Sequence, residues 1–216
     1  MEKKTGGIAI ALLFAFALWT VLVRLVDVQA IGPESSSVGF ATLNRFVHEL
    51  TGVNWFLYTV TDWLGLVPIA SAFGFAILGL VQLIRRKALW RVDRNLLLLG
   101  IFYAVVIGVY LLFERMAVNY RPTLIEGLLE ASYPSSTTML VTFVMPTAAI
   151  ELNVRLGNTV LRRGAIVSIT AFTAFMVIGR VLSGVHWITD IIGGALLGAG
   201  LVMTYVAFGN RRPKSR

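Results

Sequence analysis

Apolar residues occur along this chain in long runs separated by short polar stretches. A membrane-spanning helix needs about 20 mainly apolar residues, and five segments meet this requirement clearly. A sixth is weaker, because it opens with hydroxyl side chains and contains Pro146, although an internal proline is tolerated where neighbouring groups satisfy the freed backbone. The predicted spans cover residues 8–26, 64–84, 96–113, 135–152, 164–182 and 188–208.

The stretch between the first two spans has a different pattern. Residues 32–63 mix charged side chains, such as Glu34 and Arg45, with large apolar ones, such as Phe46 and Trp55. Such a mixture is typical of a surface loop with a helix lying in the membrane interface. We therefore predict an all-α, polytopic bundle of six transmembrane helices, with an interfacial helix in the first outer loop and a single domain over residues 1–216.

The composition agrees with a membrane protein. Of the 216 residues, 57% are hydrophobic and 14% are charged, whereas roughly a quarter of the residues are charged in an average soluble domain. The chain has no cysteine, which excludes disulfides and thiolate metal sites. No metal site or cofactor is indicated, and the expected partners are the bilayer and one of its lipids.

The basic residues predict the orientation of the bundle. The formal charge is +8, but 14 of the 19 lysines and arginines fall at the two termini and in the second and fourth connections. Positive charge marks the cytoplasmic side of a membrane protein. The excess charge is thus an orientation signal rather than a nucleic-acid-binding surface. We expect a multi-pass protein of the cell membrane with both termini in the cytoplasm.

The first span has an alternative interpretation. Lys3 and Lys4, the apolar run and the small residues at 28–30 loosely resemble a cleavable signal peptide. The run is long for a signal peptide, however, and Arg24 and Asp27 interrupt the approach to the cleavage position. Cleavage would also leave an odd number of spans, so we expect the segment to be retained as the first span.

Ionisable residues gather at the span ends on the outer face. Arg115, Arg121, Arg180, His186 and Asp190 all belong to this face. Ionisable groups at membrane depth usually line a cavity and have a function. A single arginine–aspartate couple would be explained as a structural ion pair, but five such groups on one leaflet predict a site.

The spacing within this set indicates its chemistry. His186 and Asp190 are four residues apart, so on a helix they share one face. A carboxylate beside one imidazole nitrogen fixes the tautomer and raises the basicity of the other nitrogen. This arrangement produces a nucleophilic histidine. The arginines add fork-shaped donors that suit phosphate oxygens.

A hydroxyl-rich segment, "YPSSTTML" at 133–140, opens the fourth span. Pro134 suits the first turn of a helix, where its missing N–H has no partner. The hydroxyls of Ser135, Ser136 and Thr137 surround the opening amides, and such an N-terminus can bind a phosphate through its N–H groups and dipole. An ordinary serine-rich helix cap explains the same residues equally well.

Three motifs together resemble the type 2 phosphatidic acid phosphatase superfamily. They are Arg-Pro at 121–122, Pro-Ser at 134–135, and Arg-x5-His-x3-Asp over 180–190. The resemblance implies a six-span lipid phosphate phosphatase with an outward-facing site. It covers roughly positions 64–208 in topology, and its third motif is the most specific.

The resemblance also implies a role for each matching residue. His186 would be the nucleophile that forms a phosphohistidine, and Asp190 would orient it. Arg121 and Arg180 would hold the oxygens of the transferred phosphoryl group. Ser135 and the amides near it would complete the phosphate cradle.

The chain departs from the family pattern at three positions. The serine before the last-motif arginine is Gly179. The position of the family lysine is occupied by Glu114, and Arg115 follows one residue later. Because one residue turns a helix by about 100°, the sequence is compatible with Arg115 facing the phosphate and with Arg115 facing away from it. The second histidine of the family, which protonates the leaving oxygen, is replaced by Thr137.

Loss of that acid favours one substrate class. A lipid alkoxide needs a proton, because its pKa is about as high as that of water, roughly 15.7, and acid assistance is worth about 10²- to 10⁴-fold. A phosphate leaving group has a pKa near 6 and departs unprotonated. Tyr120 and Tyr133 are poor acids at a phenol pKa of about 10. A lipid diphosphate, of the polyprenyl type recycled outside the bacterial membrane, is the expected substrate.

Two other functions are compatible with these residues. A phosphotransferase would pass the phosphoryl group from the histidine to an acceptor other than water. A non-catalytic protein on the same fold would bind or transport a lipid phosphate, because fold does not imply function.

The remaining features have ordinary structural interpretations. Glu126 and Glu130 are four residues apart and are expected on a solvated helix face. Trp187 is expected in the interfacial aromatic belt. The small residues of "GGALLGAG" at 193–200 predict close helix packing within the bundle.

Overall fold

The fold is all-α, as predicted from the sequence. The computed structural model describes residues 2–209, and within this range the chain forms eight α-helices. They are α1 (Glu2–Leu25), α2 (Ala41–Thr51), α3 (Trp55–Leu64), α4 (Leu66–Arg86), α5 (Arg94–Met116), α6 (Ser136–Arg155), α7 (Thr159–Ser183) and α8 (Ile188–Phe208). Short 3-10 turns lie at Pro33–Ser35 and Leu89–Arg91.

Six segments of the described chain are long and apolar enough to cross a membrane, which confirms the predicted number of spans. The last span has the predicted bounds, 188–208. The second begins at Trp55 rather than at residue 64, because α3 continues into α4 through Gly65, whose backbone is itself helical. The first outer loop is correspondingly shorter than predicted, and α2 is its remaining helix.

The alternation of the spans defines two ends of the bundle. The ends of α1, α5 and α7 meet the beginnings of α4, α6 and α8 at the end remote from both described termini. We call this the distal end. The residues discussed below as a site lie in the connections at the distal end and in the helix ends that flank them.

Helix α8 is the central helix of the bundle, since it packs against both α1 and α6. Its small residues allow close approach, as predicted from the "GGALLGAG" stretch. A Cβ on Gly194 would lie 2.7 Å from the carbonyl oxygen of Ser135, and one on Gly198 would lie 2.0 Å from Thr142 Oγ1. Helix α8 therefore contacts the backbone at the start of α6 directly.

Helix α1 braces the distal end. Trp19 Nε1 donates to the carbonyl of Thr189 at 3.1 Å, at the start of α8. The hydroxyl of Thr20 lies 2.7 Å from that of Tyr133, in the loop before α6. The first span is thus a structural part of the bundle.

A buried carboxylate ties the helices at the opposite end. Glu151 of α6 is fully buried and accepts from Asn95 Nδ2 of α5 at 2.9 Å and from the hydroxyl of Tyr205 on α8. Arg155, one turn later, pairs with Glu151 at 2.9 Å and with Asp93 at 3.0 Å. A carboxylate is retained inside a membrane bundle only when it is paired in this way.

The connection from α5 to α6 contains a β-hairpin rather than a helix face. Arg121 N donates to the Glu130 carbonyl at 3.0 Å, and Ile125 and Leu128 exchange backbone bonds of 3.0 and 2.8 Å. The turn has two positive φ angles, 51° at Glu126 and 81° at Gly127, the geometry that favours a two-residue hairpin. The solvated helix face expected for Glu126 and Glu130 is therefore wrong. We call residues 120–131 the site hairpin.

Candidate active site

A polar cavity of about 180 Å³ opens at the distal end. It lies between the end of α5, the site hairpin, the start of α6 and the loop from α7 to α8. The side chains that give it its chemistry are those of Glu114, Arg121, Glu130, Tyr133, Ser136 and His186.

His186 lies in the loop between the last two spans and is 5% exposed. Its Nε2 is 3.1 Å from Arg121 Nη1. A guanidinium group can only donate, so this nitrogen accepts and the imidazole proton is assigned to Nδ1. The lone pair of Nε2 is thereby directed at Arg121.

The environment keeps His186 uncharged. Burial lowers the pKa of the imidazole well below its ordinary value of 6.5, and the positive charges of Arg121 and Arg180 lower it further. The ring is therefore neutral at physiological pH. A neutral imidazole is the form that has a free electron pair for nucleophilic attack.

Asp190 is adjacent to His186 but is not within hydrogen-bond distance of it. Its Oδ2 lies 3.7 Å from His186 Nδ1, longer than a hydrogen bond. The carboxylate is fully buried and accepts from Asn119 Nδ2 and from the backbone N–H of Trp187, both at 3.1 Å. The second bond caps α8, so Asp190 fixes the end of the His186 loop while facing its ring.

Arg121 projects from the site hairpin into the cavity. Its Nε lies 2.9 Å from Glu130 Oε2 on the opposite arm, and its Nη1 also reaches the Val185 carbonyl at 3.5 Å. Sequence reasoning missed the role of Glu130, because the residue was placed on a helix. Gly127, which stands between apolar residues on either side of Glu126-Gly127, is a turn signal that could have suggested a hairpin.

Arg180 lies behind the cavity rather than in its lining. It is 1% exposed, and its Nη2 donates to Thr137 Oγ1 at 2.9 Å. The same nitrogen is 3.5 Å from Asp62 Oδ1, and the guanidinium carbon lies 5.1 Å from the centre of the Tyr58 ring. Arg180 thus joins α7 to α3 and α6, and Thr137, in the position of the family histidine, is its partner.

The start of α6 contributes through two serines. Ser135 is the N-cap: its hydroxyl accepts from Thr138 N at 3.4 Å, and its own N–H donates to the Asp190 carbonyl at 3.0 Å. Ser136 lines the cavity. Pro134 precedes the cap, so its predicted placement in the first helical turn is wrong.

Of the two charged side chains at the end of α5, it is Glu114 that lines the cavity. The side chain of Arg115 is exposed and lies outside the lining. The rotation of one residue along the helix therefore puts a carboxylate where the family pattern has a lysine.

Trp187 is part of the site framework. It is 3% exposed, donates from Nε1 to the Tyr120 carbonyl at 2.8 Å, and lies beside the ring of His48. Its predicted place in the interfacial belt is therefore wrong. Asn119, which holds Asp190, was also missed: it is a single polar residue in a loop, and its only signal was its position two residues before Arg121.

Tyr133 lines the cavity as well. Burial raises the pKa of its phenol above the ordinary value of 10. The phenol is a weaker acid than an exposed tyrosine.

An apolar groove of about 540 Å³ adjoins the polar cavity. It runs between α4, α5 and α6 and is lined by residues such as Ile69, Phe73 and Ile107. Tyr110, Ser136 and Met139 line both spaces. The groove and the cavity therefore lie side by side, with polar groups lining the cavity and apolar side chains lining the groove.

The fold and site define a class of protein: a six-span membrane protein with a neutral histidine and an arginine in a polar cavity, next to an apolar groove. Among residues 2–209, no three histidine, aspartate or glutamate side chains come together as a metal-binding set.

The comparisons with known proteins agree with this class. The family model of the PAP2 superfamily matches residues 115–214, which confirms the resemblance predicted from the three motifs. A crystal structure of a transmembrane PAP2-type phosphatidylglycerolphosphate phosphatase from Bacillus subtilis is similar to this chain with a TM-score of 0.64. The two share 19% sequence identity over 93% of this chain and 94% of that one, so they share the fold. No curated protein sequence matches this chain.

Proposed function

We propose that this protein hydrolyses a lipid phosphate through a phosphohistidine intermediate on His186. One observation carries the proposal: a buried, neutral imidazole directs its accepting nitrogen at Arg121, in a polar cavity that adjoins an apolar groove. The cavity suits a phosphate head group and the groove suits a hydrocarbon chain.

In the proposed reaction, the lone pair of His186 Nε2 attacks the terminal phosphorus. Arg121 moves from the nitrogen to the phosphoryl oxygens, where a guanidinium stabilises the charge that develops in the transition state. The bond from phosphorus to the leaving oxygen breaks, and the lipid product departs with that electron pair. Water then cleaves the N–P bond, which releases inorganic phosphate and restores the imidazole.

The choice of leaving group follows from the acids near the site. Thr137 replaces the family histidine and is bonded to Arg180, and Tyr133 is a weaker acid than usual. A leaving phosphate, with a pKa near 6, needs no proton, whereas an alkoxide does. We therefore propose a lipid diphosphate, such as a polyprenyl diphosphate, as the preferred substrate over phosphatidic acid.

The proposed location is the cell membrane of a bacterium, with the site on the outer side. The support is the distribution of charge along the sequence. Of the 19 basic residues, 14 fall near the two chain ends and around the connections from α4 to α5 and from α6 to α7, and basic residues mark the cytoplasmic side.

A phosphate-release panel tests the function. Purified protein is assayed with a polyprenyl diphosphate and with phosphatidic acid, as wild type and as His186→Ala. We expect faster release from the diphosphate, and a loss of about a thousandfold or more in the variant, the scale seen when a nucleophile is removed. His48→Gln, which changes the other of the two histidines in the chain, is the matched control and should retain most activity.

Other outcomes favour the alternatives. Faster release from phosphatidic acid would contradict the diphosphate preference. Transfer of the phosphoryl group to an added alcohol or lipid, without free phosphate, would indicate a phosphotransferase. Binding without release in the wild type would indicate a non-catalytic lipid-phosphate-binding protein.

A further inference from the structure

Glu130 places a carboxylate inside the cavity that receives the phosphate. Its Oε2 lies 2.9 Å from Arg121 Nε, so it occupies one edge of the guanidinium group that a phosphate oxygen would use. The site hairpin enforces this pairing, since the backbone N–H of Arg121 donates to the Glu130 carbonyl at 3.0 Å. Any anion that binds Arg121 along this edge has to displace the carboxylate.

We propose that Glu130 is a specificity-determining residue that competes with lipid phosphate for Arg121 and thereby excludes phosphodiester lipids. This inference rests on the proposed function in that it takes the cavity to bind a lipid phosphate. A phosphodiester carries one negative charge, so replacing the carboxylate exchanges one ion pair for an equivalent one. A terminal phosphate carries about −1.5 to −2 charges near neutral pH, so its exchange with the carboxylate is favourable.

The position of the cavity in the membrane explains why exclusion of phosphodiester lipids by Glu130 is useful. The apolar groove that joins the cavity is bounded by exposed side chains of α4 and α5, including Phe73 and Ile107, and in a bilayer these face lipid. Phosphodiester lipids are the bulk of an ordinary membrane and would reach the same groove. An arginine without a competing carboxylate would bind their head groups as well as that of the substrate.

The exposure of Glu130 makes its displacement feasible. Its side chain is 39% exposed, whereas that of Arg121 is 12% exposed. A displaced carboxylate can therefore turn towards water and remain solvated, while the guanidinium stays in the cavity. Competition requires that Glu130 can leave while Arg121 stays, and the difference in exposure between the two side chains allows this.

Binding of two soluble anions tests this competition without any hydrolysis. Inorganic phosphate stands for a terminal phosphate with more than one negative charge, and dimethyl phosphate stands for a phosphodiester with one. Calorimetry on the full-length protein in detergent gives the Kd of each anion. We expect wild type to discriminate against dimethyl phosphate. Glu130→Gln should bind dimethyl phosphate roughly tenfold more tightly, which corresponds to about 1.4 kcal/mol, and should lose most of the discrimination.

Glu126→Gln is the matched control. It removes the same charge from the same hairpin, but its side chain is exposed at the turn and lies outside the cavity lining. It should bind both anions as wild type does. Glu130→Ala provides a second neutral variant if Glu130→Gln does not fold, and thermal unfolding in detergent reports on the folding of each.

A second assay uses the membrane lipid itself. Phosphatidylglycerol added to mixed micelles should inhibit phosphate release by Glu130→Gln at several-fold lower mole fraction than it inhibits wild type. Weaker anion binding in the neutral variants would overturn the proposal, because Glu130 would then position Arg121 rather than compete for it. Unchanged binding would overturn it as well. If the variants bind the two anions as expected but wild type releases no phosphate, the proposed function is wrong, while the proposed competition of Glu130 for Arg121 is supported.

Discussion

At the residue scale, the properties of His186 come from groups on separate parts of the chain. Arg121 on the site hairpin faces Nε2, Asp190 on α8 faces Nδ1, and Asn119 holds that aspartate from the connection before the hairpin. Asn119 and Asp190 are buried, and Arg121 is paired with Glu130 on the opposite arm of the hairpin. The reactivity of the imidazole is therefore a property of the folded distal end.

The ionisation of His186 can be measured directly. Since burial and two guanidinium groups lower its pKa, the ring should remain neutral below pH 6.5, and the acid limb of kcat/KM should fall there too. The unfolded chain takes up this proton near pH 6.5, so stability should decrease as the pH falls below that value. NMR of labelled histidine is simple here, because His48→Gln leaves a single histidine signal.

Replacing Arg121 with methionine tests the cause of the shift. Removal of this charge should raise the pKa of His186 relative to wild type, although burial should still hold it low. A titration of His186 at or above pH 6.5 in the wild type would contradict the assignment of a neutral nucleophile.

The residues of the motifs were accessible from the sequence, whereas their partners were not. Arg121, His186 and Asp190 lie together as their motifs implied. Glu130 and Asn119 have no motif, and their proximity depends on a hairpin register and a loop path that single-residue patterns do not encode. The assignment of Glu114 rather than Arg115 to the cavity depended on a rotation of one residue along α5.

At the element scale, the close contact of α3 with α7 explains one departure from the family pattern. A Cβ on Gly179 would lie 2.7 Å from Cγ2 of Thr61, and Thr61 is fully buried. A serine at this position would require the Thr61 side chain, or α3 with it, to shift. The position of α3 matters because Tyr58 and Asp62 contact the guanidinium group of Arg180.

Gly179→Ala should therefore destabilise the protein by about 1–3 kcal/mol, the usual cost of overpacking a core. Gly164→Ala on the same helix is the control, since its added Cβ meets nothing within 4 Å; there alanine should be neutral or slightly stabilising. Unfolding by SDS in mixed micelles gives both values. Equal stability of the two variants would show that α3 yields at no cost.

The helices were predictable because their hydrophobic runs are long. The connections were not, because they mix polar and apolar residues without a regular period. Spans 96–113 and 188–208 differ from α5 and α8 by at most three residues at an end. In contrast, the α3 segment was placed in a loop, because its polar residues Thr61 and Asp62 interrupt the apolar run. Those same residues contact Arg180. The polar side chains that hold Arg180 are therefore the reason why the segment was not predicted to be part of a span.

At the scale of the whole molecule, the orientation proposed from charge has a direct test. The absence of cysteine allows single-cysteine labelling without background. Leu128 on the site hairpin and Leu89 in the connection from α4 to α5 are 65% and 58% exposed, at opposite ends of the bundle. We expect a membrane-impermeant maleimide to label Leu128→Cys in intact cells, and Leu89→Cys only after the membrane is opened. The reverse pattern would place the cavity in the cytoplasm.

The residues shared by the cavity and the groove, Tyr110, Ser136 and Met139, have a kinetic consequence. A substrate held across this junction arrives by two-dimensional diffusion and never passes through bulk water. Turnover should then follow the surface mole fraction of the lipid rather than its molar concentration, and dilution with inert detergent should slow the enzyme at constant total substrate.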